Sequence, residues 1–258
     1  MPDAAVLTTA TTAVRRTVEL FGLRVDALTM DETVEAVRAM VSSGEPHQHV
    51  VVNAAKIVDV ERNDALRRVI GQCDLVNADG MAVVWASRIL GQPLPERVAG
   101  IDLFVRLVGA ARDDGRSVYL LGARDEVVRE AASVLSARYP GLRVAGYHDG
   151  YWDDDAAIVR SIRDAAPDYL FLAIPSPRKE FWLNEHLHDL GVPFVMGVGG
   201  SFDVVAGRVT RAPDWMQRTG FEWAWRLVQE PRRMWRRYLF TNTAFIRMTV
   251  RERWKARR

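Results

Sequence analysis

The sequence predicts an α/β fold in which a Rossmann-like parallel sheet is flanked by helices on both faces. Short apolar runs of strand length, such as HVVVN (49–53) and SVYLLG (117–122), alternate with longer amphipathic stretches of helical period. Alternation at this spacing is typical of parallel strands joined by helical crossovers. With 258 residues, of which 48% are hydrophobic and 26% charged, the chain is long enough to bury such a core.

The individual elements follow from this alternation. After the strand-like LRVDAL, Thr29 and Glu32 in TMDE have the spacing of a capping box that opens the first helix. The later predicted strands are HVVVN (49–53), DLVNAD (74–79), SVYLLG (117–122), LRVAG (142–146), DYLFLAI (168–174) and PFVMGVG (193–199). The later predicted helices are AKIVDVERNDALRRVIGQ (55–72) as one helix, MAVVWASRIL (81–90), GIDLFVRLVGAARDDG (100–115), DEVVREAASVLSARYP (125–140), DDDAAIVRSIRDAAP (153–167) and EFWLNEHLHDLG (180–191).

The last fifth of the chain has a different composition, which divides it into a core (1–206) and a C-terminal appendage (207–258). Residues 1–206 hold 21 Lys and Arg against 29 Asp and Glu, whereas residues 207–258 hold 14 against 4 and five of the eight tryptophans. Two helix-like runs in the appendage are broken by Pro231. They either pack on the sheet with a solvated basic face or dock on an anionic membrane surface, and the charge asymmetry favours docking.

Several protein classes are disfavoured. The single cysteine, Cys73, permits no intrachain disulfide, which indicates a reducing, cytoplasmic compartment. The sequence shows no secretory signal and no spanning segment, so any membrane association is expected to be peripheral. The five histidines show no metal-ligand spacing, and no known nucleic-acid-binding motif is present. We therefore expect neither a bound metal nor a nucleic-acid partner, while a homo-oligomer stays open.

In such folds ligands bind beyond the carboxyl ends of the strands, so polar and glycine residues at those ends are the first site candidates. Asp79, in NADG, is either the N-cap of the helix that follows or a carboxylate placed to accept a proton from an attacking hydroxyl. Asn53 either binds a sugar hydroxyl, supports the Asp79 carboxylate or serves a turn. Gly122 and Ser176 follow two further strands.

Two loops contain residues that could bind phosphate. GVGGSF (197–202) places Gly199 and Gly200 where backbone amides approach phosphate oxygens, but Phe202 occupies the third glycine position of the dinucleotide fingerprint. A nucleotide-dependent oxidoreductase is therefore disfavoured. Arg97, in PERVAG, is either solvated or recognises a diphosphate. The acidic run at 153–155 could hold a divalent cation, but its position before a helical stretch favours a capping role.

Several motifs, in one order, resemble the WecG/TagA/CpsF-type glycosyltransferases, which make wall teichoic acid linkage units, enterobacterial common antigen and some exopolysaccharides. The matching motifs are NADGMAVVWASRILGQPLPERVAGIDL, YPGLRVAGYHDGYW, PSPRKEFW and GVGGSFDVVAGRVTRAPDWMQRTGFEWAWRLVQEPRRMWRRYL. The resemblance implies an inverting, metal-independent transfer of N-acetylmannosamine, glucose or a related hexose from a UDP-sugar. The acceptor would be a saccharide on a polyprenyl diphosphate at the inner face of the cell membrane, with no cofactor.

The resemblance also assigns site residues. Asp79 falls on the family's proposed catalytic base, and Asn53, Arg97, Lys179 and Glu180 fall on substrate-binding positions. The appendage arginines are expected to serve the diphosphate or the membrane: Arg226, Arg233, Arg236 and Arg237.

Two departures from the family pattern leave the donor sugar open. Val51 stands where the family typically has threonine, and Lys179 stands where it typically has glutamine. A non-catalytic nucleotide-sugar-binding protein at the membrane is the alternative function.

Overall fold

The six main strands form one parallel sheet, as predicted. The structure is a computed structural model that describes residues 16–229 and 231–255. The strands are β1 (Thr17–Leu20), β2 (Leu23–Asp26), β3 (His47–Val52), β4 (Leu75–Ala78), β5 (Ser117–Gly122), β6 (Arg143–His148), β7 (Tyr169–Ala173) and β8 (Phe194–Gly197). Strands β1 and β2 pair antiparallel in a separate hairpin, while the parallel sheet has the order β4-β3-β8-β7-β5-β6.

Helices follow the strands and cover the sheet. They are α1 (Met30–Ser43), α2 (Ala54–Arg62), α3 (Asp64–Gln72), α4 (Met81–Ile89), α5 (Gly100–Asp113), α6 (Asp125–Arg138), α7 (Asp155–Ala165), α8 (Arg178–Leu190), α9 (Ser201–Val205), α10 (Asp214–Arg218), α11 (Glu222–Gln229) and α12 (Pro231–Lys255). The capping box of α1 is present, since the Thr29 side chain accepts from Glu32 N and the Glu32 carboxylate accepts from Thr29 N. Asp154 likewise caps α7 through Ala157 N, which confirms the capping role of the acidic run.

One predicted helix is wrong. The stretch 55–72 was expected to be continuous, but it contains α2 and α3, which meet at Asn63. The Asn63 side chain accepts a hydrogen bond from Leu66 N (3.0 Å), so it caps the second helix and competes with continuation of the first. A short polar side chain with this ability is a boundary signal that the apolar period alone does not show.

Apolar side chains fill both faces of the parallel sheet. On one face, Phe104 of α5 packs edge-on against Phe171 of β7 and near Phe202 of α9. On the other face, Ile162 of α7 and Trp182 of α8 cover alternate residues of the same strands. Strands β5 and β7 are buried along their whole length, as expected of central parallel strands.

A third apolar cluster joins the C-terminal helix to the core. Phe245 and Met248 of α12 are buried among residues of the hairpin and of α2, and the Phe245 ring lies 5.2 Å from that of Phe21. Arg251 adds an ion pair to Glu61 of α2 (2.6 Å). The second half of α12 is thus packed on residues of the range 1–206, and the division of the chain at Ala206 stays a prediction.

Within residues 16–229 and 231–255, no helix combines the length and the apolar character needed to cross a bilayer.

Phe245→Ala should destabilise the fold because it empties a buried site between α12 and the hairpin. Loss of a buried phenylalanine costs about 3 kcal/mol in free energy of unfolding. The neighbouring Ile246 is 61% exposed, so Ile246→Ala should change the free energy of unfolding by less than about 0.5 kcal/mol. Urea unfolding followed by circular dichroism measures both. Equal, small effects would show that α12 is not packed as described.

Candidate active site

A polar cavity of about 640 Å³ lies at the carboxyl edge of the parallel sheet. It takes residues from the ends of five strands, as the topology predicts for an α/β ligand site. Its polar and glycine lining residues are Asn53, Lys56, Asp79, Gly100, Arg124, Ser176, Lys179, Gly197, Gly200, Ser201, Asp203, Glu222 and Gln229.

Asp79 lies directly after β4 and lines this cavity. Its backbone N–H donates to Val52 O of β3 (2.8 Å), which fixes the turn beside the neighbouring strand. The next residue, Gly80, is the N-cap of α4 and has φ +112°, a conformation that favours glycine. The N-cap position that the sequence offered to Asp79 is therefore occupied by Gly80. The carboxylate is therefore placed at the ligand edge of the sheet.

Asn53 lies at the junction of β3 and α2, and its contact with a sugar hydroxyl stays a prediction. It is the N-cap of α2, where its Oδ1 accepts from Lys56 N (3.0 Å), and it also lines the cavity. Because the cap fixes its side chain, Asn53 presents a defined polar group to the cavity.

A buried ion pair lies beneath the cavity. Lys56 of α2 donates to Glu180 Oε1 of α8 (2.7 Å) and to Val51 O (2.7 Å), and Ser176 Oγ donates to the same carboxylate oxygen (2.9 Å). Burial alone would raise the pKa of Glu180, but the nearby lysines outweigh it and hold that pKa below its usual range. Glu180 is only 2% exposed, so its carboxylate does not face solvent and instead binds Lys56 and Ser176 of the cavity wall.

Lys179, next to Glu180 in sequence, reaches the cavity itself. Burial and repulsion from Lys56 lower the pKa of Lys179 to about 8, against the attraction of Glu180 and Asp79. Its Nζ lies 3.9 Å from Glu180 Oε1, beyond hydrogen-bonding distance.

Arg97 lies in an ion-pair cluster at the cavity mouth. Its Nη1 donates to Glu222 Oε2 of α11 (2.7 Å), and Arg211 binds Asp102 of α5 through both terminal nitrogens (2.5 and 2.7 Å). Arg211 Nε also lies 3.6 Å from Glu222 Oε1. The cluster therefore ties the start of the C-terminal segment to the core beside the cavity.

The glycines differ in their position. Gly200 lines the cavity, and Gly199, with φ +55°, lies beside Lys179. Gly122 is outside the lining residues. A Cβ there would lie 2.6 Å from Ala173 O, so close packing of β5 on β7 accounts for this glycine.

Some predicted site residues cannot be placed by side chain. Arg226, Arg233, Arg236 and Arg237 lie outside the residues whose side chains the structure describes. Among the described residues, no three His, Cys, Asp or Glu side chains converge as a set of metal ligands. The diphosphate role of these arginines and metal independence both stay predictions.

Four charged lining residues were not singled out from the sequence: Lys56, Arg124, Asp203 and Glu222, the last of which is hydrogen-bonded to Arg97. Lys56 lies one turn into α2, Arg124 is the N-cap position of α6, and Asp203 is in the short α9. Their closeness to strand ends was the available signal, and only the three-dimensional arrangement separates them from ordinary surface charges.

A series of hydrogen bonds connects the buried His49 of β3 to Thr29, the N-cap of α1. The ring Nε2 lies 3.0 Å from Asn77 Oδ1, and Asn77 Nδ2 donates to Thr33 Oγ1 (3.3 Å), which donates to Thr29 O (2.7 Å). Since Asn77 presents its oxygen, His49 carries its proton on Nε2. Burial lowers the pKa of His49 to about 3, and its Nδ1 has no hydrogen-bond partner among the described residues.

The fold and cavity define an α/β protein with a polar, charged ligand site at a sheet edge. The sequence profile described as Glycosyl transferase WecG/TagA/CpsF family matches residues 18–258. The chain belongs to this family of glycosyltransferases, which confirms the relationship predicted from its motifs.

Similar proteins with named activities also indicate a glycosyltransferase. The chain is similar to proteins named N-acetylglucosaminyldiphosphoundecaprenol N-acetyl-beta-D-mannosaminyltransferase from three bacteria. It is 37% identical to that of Bacillus subtilis (strain 168) over 66% of each chain, and 36% identical to that of Bacillus spizizenii over 69% of each. It is 34% identical to that of Staphylococcus aureus (strain MW2) over 85% of this chain and 87% of the relative. These names favour an enzyme over the non-catalytic alternative.

The stability of the fold should fall as the pH drops from about 6.5 towards 3. Over this range the unfolded chain protonates His49 while the folded chain does not, so the unfolded state binds more protons. A proton on Nδ1 would be a buried donor without an acceptor. His49→Gln should flatten this part of the pH profile, because the substituted chain has no imidazole at this position. Urea unfolding at a series of pH values measures the slopes, and equal slopes in the unsubstituted and substituted proteins would contradict this assignment.

Proposed function

We propose that this chain is an inverting hexosyltransferase that uses a UDP-sugar donor and a saccharide acceptor linked to a polyprenyl diphosphate. The observation that carries the proposal is Asp79, which directly follows β4 and lines the polar cavity. The mannosaminyltransferase names of the relatives make UDP-N-acetylmannosamine and N-acetylglucosaminyl-diphosphoundecaprenol the first substrate pair to test. Glucose and related hexoses are the other donors to be compared.

The reaction is a single displacement at the anomeric carbon. The acceptor hydroxyl loses its proton to the Asp79 carboxylate while its oxygen attacks the anomeric carbon from the face opposite UDP. The new glycosidic bond forms as the bond to the diphosphate oxygen breaks, and UDP leaves with that electron pair. Attack from the opposite face inverts the configuration.

The departing diphosphate requires preorganised positive partners. Arg124 and Lys179 line the cavity, and the glycine turn at 197–200 brings backbone close to it. A well-placed donor aimed at developing charge contributes on the order of 3 kcal/mol to the transition state. The cavity therefore holds both a base candidate and cationic side chains.

Asp79→Asn should reduce turnover by about two to four orders of magnitude while UDP affinity stays nearly unchanged, because an amide cannot accept the proton. Product formation is measured with the substrate pair above and UDP affinity by calorimetry. Asp203→Asn is the matched comparison, since Asp203 is the other unassigned carboxylate in the cavity.

Normal turnover in Asp79→Asn with a large loss in Asp203→Asn would assign the base to Asp203. UDP binding without transfer to any lipid-linked acceptor would favour a binding protein instead.

We further propose that the protein associates peripherally with the inner face of the cell membrane, where the lipid-linked acceptor lies. On α12, the large apolar side chains of Leu239, Ile246, Val250 and Trp254 are exposed, and Arg247 and Lys255 lie beside them. A helix with exposed apolar residues among cations is suited to an anionic lipid surface.

The double substitution Ile246→Ser and Trp254→Ser should weaken binding to phosphatidylglycerol vesicles by about tenfold or more, since it removes two apolar contacts. Vesicle co-sedimentation measures it. Tyr151→Ser is the control, because Tyr151 is 76% exposed on the loop after β6, the strand at the opposite edge of the sheet from β4. Point substitutions are better suited than deletion of 207–258, which would also remove the buried Phe245 and Met248. Unchanged binding of the double variant would contradict docking through this face.

A further inference from the structure

Two buried lysines share one buried carboxylate beneath the cavity. Lys56, Lys179 and Glu180 are 7%, 8% and 2% exposed. Lys56 is hydrogen-bonded to Glu180 at 2.7 Å, whereas the Lys179 ammonium lies 3.9 Å from the same oxygen. Glu180 therefore neutralises Lys56 directly and Lys179 only at longer range. A buried cation without a close counter-charge is costly, so this cluster is suited to receive a negative group.

The Lys179 side chain is guided to the cavity by glycine residues. A Cβ on Gly197 would lie 2.8 Å from Lys179 Cδ, and a Cβ on Gly199 would lie 3.4 Å from Nζ. The methylene stem therefore crosses the end of β8, and the ammonium lies at the glycine turn in the cavity wall.

The other charged groups that line the cavity with Lys179 are two cations, the proposed base and two carboxylates on other helices. Lys56 of α2 and Arg124 before α6 are cations, and they do not neutralise it. Asp79 after β4 attracts the ammonium and is the proposed base. In the remaining wall, Glu222 of α11 is hydrogen-bonded to Arg97, and Asp203 belongs to α9.

We propose that the Lys179 ammonium binds an anionic oxygen of the nucleotide-sugar donor and is a specificity-determining residue of this site. The inference rests on the proposed function, because it assumes that the donor occupies this cavity. A primary ammonium requires an anionic or strongly polar oxygen, whereas an amide at the same place would accept neutral hydroxyls. The anionic oxygen belongs to the diphosphate or to a carboxylate on the donor sugar.

A pH signature distinguishes ligand binding from a structural role. Because the pKa of Lys179 in the free protein is about 8, raising the pH through this value removes the ammonium. Binding of an anion requires the protonated form, so affinity should fall above about pH 8, approaching tenfold per pH unit.

The experiment is calorimetric titration of the full chain with UDP, UDP-glucose and UDP-glucuronate between about pH 7 and pH 9. Lys179→Gln and Lys179→Met are compared with Arg160→Gln, a substitution of an exposed cation on α7 that is outside the cavity lining. Contact with the diphosphate predicts that both Lys179 variants lose about tenfold or more in affinity for all three ligands and lose the pH slope. Contact with a sugar carboxylate predicts that only UDP-glucuronate is affected.

Three results would overturn the inference. If the unsubstituted chain binds UDP but both Lys179 variants keep its affinity for all three ligands and its pH slope, Lys179 does not bind the donor. If the unsubstituted chain binds none of the three, the proposed function fails and the inference fails with it. A loss that also occurs in Arg160→Gln would indicate a general charge effect and would overturn the specific role of Lys179.

Discussion

The ion pair between Lys56 and Glu180 joins helices α2 and α8 under the cavity, and much of the site depends on it. These residues are 124 positions apart in the chain, and both are almost completely buried. Removing one partner would leave the other charge buried without compensation, which typically costs about 3 to 5 kcal/mol. The pair fixes the start of α2, where Asn53 is the cap, and the start of α8, from which Lys179 reaches the cavity. Residues from two different βα units are in this way held in one geometry.

The fold was largely predictable because its signals are local. Strand-length apolar runs such as SVYLLG and the capping box of Thr29 and Glu32 depend on neighbouring residues, and the structure has both. The break at Asn63 was missed because apolar periodicity continues across it while the side-chain hydrogen bond decides the boundary.

The site was predictable only in part. Asn53 and Asp79 could be found because they directly follow strands, and the topology brings strand ends together. Lys56 and Arg124 could not be separated from solvated surface charges, since their burial or closeness to the cavity depends on helices distant in sequence. The sequence left Arg97 either solvated or bound to a diphosphate, whereas in the structure it lies in an ion-pair cluster with residues of the C-terminal segment.

The close fit of Lys179 over Gly197 means that these two positions cannot vary independently. Any side chain at position 197 would collide with the lysine stem at the level of Cδ. A descendant of this chain could acquire alanine there only after the lysine had moved or been replaced. The order of substitutions is thus restricted, and a change in what the cavity accepts would begin at position 179 rather than at the glycine.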